Sequence, residues 1–411
     1  VTSANSANSA NPAYDADRAT PRHKTLNLVL TGGGTAGHVW PHFAVADDDT
    51  TPLGALIAQG DVRVHYIGSH TGMERDIVRT AAPKWNYIGI HTGKLRRYFS
   101  VQNFVDAFRV VKGCFDAFFA IGKVKADVVF SKGGFVSAPV VWAAWLRGVP
   151  VVIHESDATP ALATKLTLPF AYRALVSFPQ TVDLLPAPFR ERAIALGIPM
   201  RRTLFGADRA QANVHFGLNE SLPTLLVFGG SLGAEALNRL VAGALVTLVK
   251  RCNVIHIVGK GKTFDPPTAA DGANTGHMSG AYRQFEFLQS DMKLAYAAAD
   301  LALCRAGASS IFELAAARIP MILVPLGMHQ SRGDQIVNAR LFERQGWAQW
   351  VKEEELTSER VASLVEGALG DLPARRTALE AAPSADAAPQ VAALLLALMQ
   401  RHGDALKKGT A

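Results

Sequence analysis

Leu301-Ala-Leu-Cys-Arg-Ala-Gly-Ala-Ser-Ser-Ile-Phe-Glu-Leu314 decides the fold. The apolar run Leu301–Cys304 predicts a short buried strand. Arg305-Ala-Gly-Ala308 predicts a tight turn, with Ser309 or Ser310 capping the helix that follows. A helix start of this kind offers unpaired N–H groups and the positive end of the dipole, which suits a pyrophosphate. Glu313 falls one turn in, where its carboxylate can accept hydrogen bonds from a ribose diol. Dipole compensation alone also places glutamate there. The decision between the two rests on whether the same device recurs.

It does recur. Leu26–Leu30 is an apolar run that enters Thr31-Gly-Gly-Gly-Thr-Ala-Gly-His38, and Val128–Phe130 enters Ser131-Lys-Gly-Gly-Phe-Val-Ser137. Thr224–Phe228 enters Gly229-Gly-Ser-Leu-Gly-Ala234 in the same way. Glycine permits positive φ and close backbone approach, so each strand–loop–helix turn can cradle phosphate. Gly32, Gly34 and Gly37 also satisfy GxGxxG, but a dinucleotide-binding dehydrogenase needs an acid at the end of the next strand. That strand, Val62–Ile67, runs instead into Gly68-Ser-His70. The repeat predicts two Rossmann-like, doubly wound parallel α/β units facing across a cleft, an α/β fold of the GT-B type. Residues 25–200 form the first unit and residues 201–390 the second. A helix over 391–411 is expected to pack back across the junction, and residues 1–24, rich in Ser, Ala and Asn, read as a disordered tail.

Other segments give further expectations. A strand over Val149–Ile153 should end in His154-Glu-Ser-Asp157, four polar groups at a ligand-binding edge. A first helix starting at Pro41 should break at Asp47-Asp-Asp-Thr-Thr-Pro52, a surface loop without evident function, and a second should start at Pro52. Val101, Phe104, Phe108, Val111, Phe115 and Phe118 recur at helical spacing and read as a buried stripe. Lys94 to Lys125 holds seven basic against two acidic residues, a net five of the chain's +7. Within it, Leu95, Arg96, Arg97, Tyr98 and Phe99 place apolar tips among cations, which suits an anionic membrane surface.

The chain has 411 residues, 49% hydrophobic and 19% charged, enough for two well-buried units. Its basic excess is too diffuse for nucleic acid. Cys114, Cys252 and Cys304 lie in apolar segments without ligand spacing and read as core thiols in a reducing compartment. No run of 18 apolar residues is present. No DxD pair and no metal-spaced histidine cluster stands out, so no metal or other cofactor is expected, and backbone dipoles with Arg305 would stabilise a departing diphosphate.

Taken in order, Thr31–Val39, Phe130–Ser137, His154–Asp157, Gly229–Ala234, Arg305-Ala-Gly307 and Glu313 resemble the MurG family of bacterial N-acetylglucosaminyltransferases over about residues 26–368. The resemblance implies inverting, metal-independent transfer of GlcNAc from UDP-GlcNAc to the C4 hydroxyl of MurNAc in undecaprenyl-pyrophosphoryl-MurNAc-pentapeptide (lipid I), giving lipid II. It implies a role in peptidoglycan biosynthesis, cell shape and division, peripheral at the cytoplasmic face of the membrane, beside other cell-wall synthesis proteins. By motif, Thr35, Ala36, Gly37, Asp157, Arg201, Ser231, Leu288, Gln335 and the turn Ala308, Ser309, Ser310, Ile311, Phe312 and Glu313 would hold UDP-GlcNAc. Gly32, Gly33, Gly34, Gly133 and Gly134 would meet the acceptor pyrophosphate. His38 is the first candidate for the general base, with Glu155 or Asp157 as substitutes. Asp157 stands where many members carry asparagine, which leaves its sugar contact open. Other users of the fold are a UDP-GlcNAc 2-epimerase, a diacylglycerol glycosyltransferase and a silent nucleotide-sugar-binding scaffold. The basic Leu95–Phe99 segment argues against the epimerase, whose substrate is soluble.

Overall fold

The structure is a computed structural model that describes residues 25–93, 101–230, 233–266, 280–328, 333–382 and 386–407, with backbone alone at 101–107 and 403–407. The expected tail 1–24 and the segment Leu95–Phe99 lie outside these residues. Two parallel sheets form. The first runs through β1 (Leu26–Thr31), β2 (Val62–Ser69), β3 (Asn86–Ile90), β4 (Val128–Ser131), β5 (Val151–Glu155), β6 (Arg173–Val176) and β7 (Ala193–Ala195), in the order β3-β2-β1-β4-β5-β6-β7. The second holds β8 (Thr224–Phe228), β9 (Asn253–Ile257), β10 (Tyr282–Phe285), β11 (Leu301–Cys304), β12 (Met321–Leu323) and β13 (Ala348–Trp350), in the order β10-β9-β8-β11-β12-β13. Central strands are covered on both faces by helices, so they must be apolar throughout. Leu28, Val29 and Leu30 of β1 and every residue of β8 and β11 are buried accordingly.

Strand order then places the site. In each sheet the chain winds outward from its first strand, returns past it and winds the other way, so β1 and β4, and likewise β8 and β11, flank a reversal. A crevice opens at the carboxyl ends of such a pair. All four strand–loop turns picked out in the sequence follow these four strands. The expected GT-B-type architecture is the observed one.

Three expectations change. The strand expected over Val149–Ile153 is β5, shifted to Val151–Glu155. His154 and Glu155 are therefore strand residues, and their side chains are buried rather than on the ligand edge. The aromatic stripe on helix Val101–Val124 is not core: Phe108, Val111 and Phe115 are 77%, 56% and 61% exposed, as is Phe119 at 67%. The buried face is Gly113, Ala117, Ala120 and Ile121, small enough to lie close against helix Ser137–Leu146. Phe118 alone of the described stripe packs partly on that core. The final helix starts at Ala388, ahead of the expected 391, and is described as far as Lys407; Val391, Ala392, Leu395, Leu398 and Met399 share a core with β1, β4 and helix Pro52–Gln59.

The acidic break gains a physical account. Helices Trp40–Ala46 and Pro52–Gln59 flank it, and Thr51 caps the second by accepting from Gly54 N–H at 3.0 Å. Thr50 Oγ1 accepts from Arg202 Nη1 at 2.7 Å, and Asp48 sits 3.9 Å from the same guanidinium. Arg202 belongs to the connection between the sheets, so the break is where the first unit touches that connection. A Cβ at residue 54 would fall 2.0 Å from Asp48 O, and only glycine permits this approach.

Candidate active site

The cleft is built by backbone before any side chain enters it. Tyr66 OH donates to Gly32 O at 2.8 Å and holds the first glycine loop down on its sheet. Gly134, at φ +83°, would carry a Cβ 2.2 Å from Gly33 O, so the loops after β1 and β4 lie directly on one another. From the other side, Gly37 approaches helix Ala308–Ala316 so closely that a Cβ would meet Ser309 Oγ at 3.3 Å. The two units come together at these turns.

Helix Ala308–Ala316 departs from its expected cap. Gly307 is the N-cap and no side chain caps it; Ser309 and Ser310 sit inside the first turn. First-turn N–H groups left without a side-chain cap are the usual seat of a phosphate. Ala308, Ser309 and Ser310 line the cleft, as do Thr35, Gly37, His38, Asp157, Gly230 and Gln335. Ile311 and Phe312 do not: both side chains are buried in the core of the second sheet, so their place in the expected donor set is corrected. Arg305 is also less available than expected. It is 6% exposed, pairs with Glu353 and donates to Val324 O at 3.0 Å, and so braces the turn. Ser231 lies outside the described residues.

Beyond the turn the cleft continues into a pocket lined by Ala36, Gly37, Arg201, Leu288, Tyr296 and Glu313. Glu313 Oε2 accepts from Tyr296 OH at 2.7 Å. Burial raises the carboxyl above its usual range, opposed by that hydrogen bond and by the charge of Arg201. Arg201 in turn lies 4.1 Å from the centre of the Trp40 ring. This cation–π contact crosses between the units at the mouth of the pocket. Leu288, 9% exposed, supplies an apolar wall.

His38 closes the 3₁₀ turn Ala36–His38, and its Nδ1 lies 2.9 Å from Lys132 O. A carbonyl only accepts, so Nδ1 carries the proton and Nε2 the lone pair. Lys132 itself is buried at 1% exposure, donating to His154 Nδ1 at 2.7 Å and Ser156 Oγ at 2.8 Å. Burial lowers its pKa to about 7, against the pull of Glu155 and Asp157. His154, held well below its ordinary pKa by burial and by Lys132, donates Nε2–H to Gly197 O at 2.8 Å. A run of polar groups therefore links the connection between the sheets to the carbonyl that orients His38.

The two substitute bases divide. Glu155 accepts from Asp157 N–H and Ala161 N–H at 3.1 and 2.8 Å and from Thr164 Oγ1 at 2.5 Å. With both oxygens engaged and 5% exposure it is a loop brace, which corrects its place among the catalytic candidates. Asp157 stays on the cleft wall and accepts from Asn338 Nδ2 at 3.0 Å. Asn338 also donates to Ala306 O and accepts from Ala158 N–H, at 3.1 and 3.0 Å, which pins the Asp157 loop to the Arg305 turn. Asn338, Trp40 and Tyr296 carry no motif of their own. The signals available were two positional ones: Trp40 lies beside the first glycine loop, and Asn338 three residues after Gln335.

Two parallel α/β sheets with opposed glycine-rich turns, and a pocket opening off the cleft between them, define a protein of the GT-B architecture. The N-terminal domain model of glycosyltransferase family 28 matches residues 28–176, and the C-terminal domain model matches residues 224–392. The chain belongs to this family and, within it, to the MurG group. It is 43% identical to the UDP-N-acetylglucosamine--N-acetylmuramyl-(pentapeptide) pyrophosphoryl-undecaprenol N-acetylglucosamine transferase of Lachnoclostridium phytofermentans, over 82% of this chain and 89% of that protein. To the protein of the same name from Oceanobacillus iheyensis it is 43% identical, over 82% and 88%. The crystal structure of Acinetobacter baumannii MurG superposes with a TM-score of 0.68 at 26% identity, covering 90% of this chain and 99% of that one.

Proposed function

We propose that this enzyme transfers GlcNAc from UDP-GlcNAc to the C4 hydroxyl of MurNAc in lipid I, giving lipid II with inversion at the anomeric carbon. The observation that carries this is the continuity of the cleft. The pocket ending at Glu313 shares Gly37, Gly230, Ser309 and Ser310 with the chamber that holds His38, Asp157 and Gln335. In this reading Leu288 flanks uracil, Glu313 and Arg201 hold the ribose side, and the helix start takes the diphosphate. Gln335 meets the GlcNAc hydroxyls, while Gly32–Gly34, Gly133 and Gly134 face the acceptor pyrophosphate. His38 takes the proton of the attacking hydroxyl. Backbone dipoles at the helix start supply the stabilisation of the leaving UDP. Residues 25–200 and 201–390 act as acceptor and donor units, with the last helix returned to the first.

UDP release tests the reading directly. It should require both UDP-GlcNAc and a lipid I analogue, with a disaccharide product; release from the donor alone, or formation of a 2-epimer, would replace it.

We also propose that the enzyme works as a peripheral protein on an anionic membrane surface. No described helix is long and apolar enough to cross a membrane. Instead, Phe108, Val111, Phe115 and Phe119 form an exposed apolar ridge, with Arg109 and Lys112 exposed beside it. Contiguous exposed apolar surface bordered by cations fits a headgroup–acyl boundary. Leu95–Phe99, which precedes this helix in sequence and lies outside the described residues, is proposed as a further membrane contact. Replacing Phe108, Phe115 and Phe119 by serine should weaken binding to anionic vesicles by about tenfold or more per side chain, from ~1.5 kcal/mol of lost apolar burial each. UDP affinity should not change. Equal co-sedimentation of variant and parent would rule the ridge out.

A further inference from the structure

The described residues hold one cluster with ligand chemistry outside the cleft. His70 follows β2, His91 follows β3, and Asp116 lies on helix Val101–Val124. One ligand atom from each lies within 4.8 Å of the other two. The two imidazoles stand edge to face with centroids 5.0 Å apart. Asp116 Oδ2 accepts from both the N–H and Nδ1 of His91, at 3.0 and 2.6 Å, so one partner pair is already fixed. The backbone has made room for this arrangement. A Cβ at residue 89 would fall 2.5 Å from His70 Nδ1, and one at residue 113 would fall 2.0 Å from His91 O. Both positions are glycine. The first lets the His70 ring lie on β3, and the second brings the helix down onto the turn that carries His91.

We infer that His70, His91 and Asp116 form a binding site for a first-row divalent ion of the zinc type, with two imidazoles and one carboxylate as ligands. Imidazole nitrogen with a single carboxylate suits zinc, cobalt or nickel and suits calcium or magnesium poorly. Three protein ligands leave a fourth position for water. A tetrahedral ion with bonds of about 2.0–2.1 Å needs its ligands a little over 3 Å apart. His70 is exposed and can turn inward, while the His91–Asp116 pair, 2.6 Å apart when hydrogen-bonded, opens to that spacing. The ion takes the place of the proton shared by His91 and Asp116. Arg75, which donates to His70 O at 2.8 Å, and Lys112, one turn before Asp116, are the nearby cations and limit the affinity.

None of the three residues lines the cleft. The ion therefore takes no part in sugar transfer; it ties the ends of β2 and β3 to the helix bearing the apolar ridge. In sequence the ligands are far apart, His91 and Asp116 by 25 positions, which is why no metal spacing shows there.

Cobalt titration of the chelator-treated full chain tests the site through its visible absorption, with zinc as competitor. One equivalent should bind with the absorption of a low-coordinate site and be displaced by zinc. His70→Asn, His91→Ser and Asp116→Asn should each weaken binding by about tenfold or more. UDP affinity, measured by calorimetry on the same samples, should stay at the parent value and reports that each variant is folded. Absence of the absorption at millimolar cobalt overturns the inference. So does cobalt binding that persists unchanged in the variants, which would place the ion elsewhere. His70→Asn, at an exposed side chain, keeps the test decisive if the other two variants fold poorly.

Discussion

Replacing His38 by alanine should lower kcat by ~10²–10⁴-fold, the usual loss for a general base, while leaving the affinity for UDP-GlcNAc little changed. The acceptor hydroxyl must lose its proton as it attacks, and an inverting displacement needs one base opposite the leaving group. His38 meets the geometric requirement. It sits on the first glycine loop, on the wall of the chamber that joins the nucleotide pocket, and Lys132 O fixes Nδ1 as the protonated nitrogen at 2.9 Å. Nε2 then holds the lone pair, and an imidazole works near neutral pH. A histidine that only braced the loop or bound pyrophosphate would raise the acceptor KM and leave the pH profile intact. A base does otherwise: the acid limb of kcat/KM should disappear in the variant. A His38→Ala enzyme with kcat within a few-fold of the parent at saturating acceptor would exclude the role. Asp157→Asn would then be the variant to assay, because Glu155 is spent on its own loop.

The sheets were legible because buried parallel strands are short apolar runs ended by glycine. β8 and β11 fall on the residues read from sequence, Thr224–Phe228 and Leu301–Cys304. Helix faces were less so. Periodicity tells which residues share a face but not which face is covered. On Val101–Val124 the small face won, since Ala117 and Ala120 allow a closer approach to the next helix than phenylalanine does. The same limit applies at Ala308–Ala316, where motif alone grouped Ile311 and Phe312 with Glu313, and the helix turned the first two into the core.

Site residues were legible where the backbone does the work and obscure where partners come from afar. Glycine loops announce themselves locally. Asn338 meets Asp157 from 181 positions away, and Arg201 reaches Trp40 across the cleft; neither pairing leaves a trace in spacing. The break at Asp47–Pro52 read as a plain surface loop for the same reason, because its partner Arg202 lies 152 positions on.

Glu313 tests the donor pocket independently of the chemistry. Glu313→Ala should weaken UDP binding by about 1.5–3 kcal/mol, the range for hydrogen bonds to a charged group, or roughly ten- to a hundredfold in Kd. Alanine also strands the hydroxyl of Tyr296, 5% exposed and bonded to Glu313 at 2.7 Å, so part of the loss would appear as lower stability. Glu313→Gln separates the effects, since its amide oxygen still accepts from Tyr296 but bears no charge for a ribose diol. The pH dependence has a definite sign. Burial raises the Glu313 carboxyl above the ordinary range in the free protein, and a diol donates best to the ionised form. UDP affinity should therefore be full at neutral pH and fall as pH drops through that raised pKa, earlier than for a surface glutamate. For folding the same shift runs the other way: its stabilising contribution is present below the unfolded pKa and lost as pH rises through the folded one. In Glu313→Gln the acid-side loss of UDP affinity should vanish. Calorimetric titrations of parent and glutamine variant between mildly acidic and neutral pH decide it, and parallel curves for the two proteins would remove Glu313 from the ribose site.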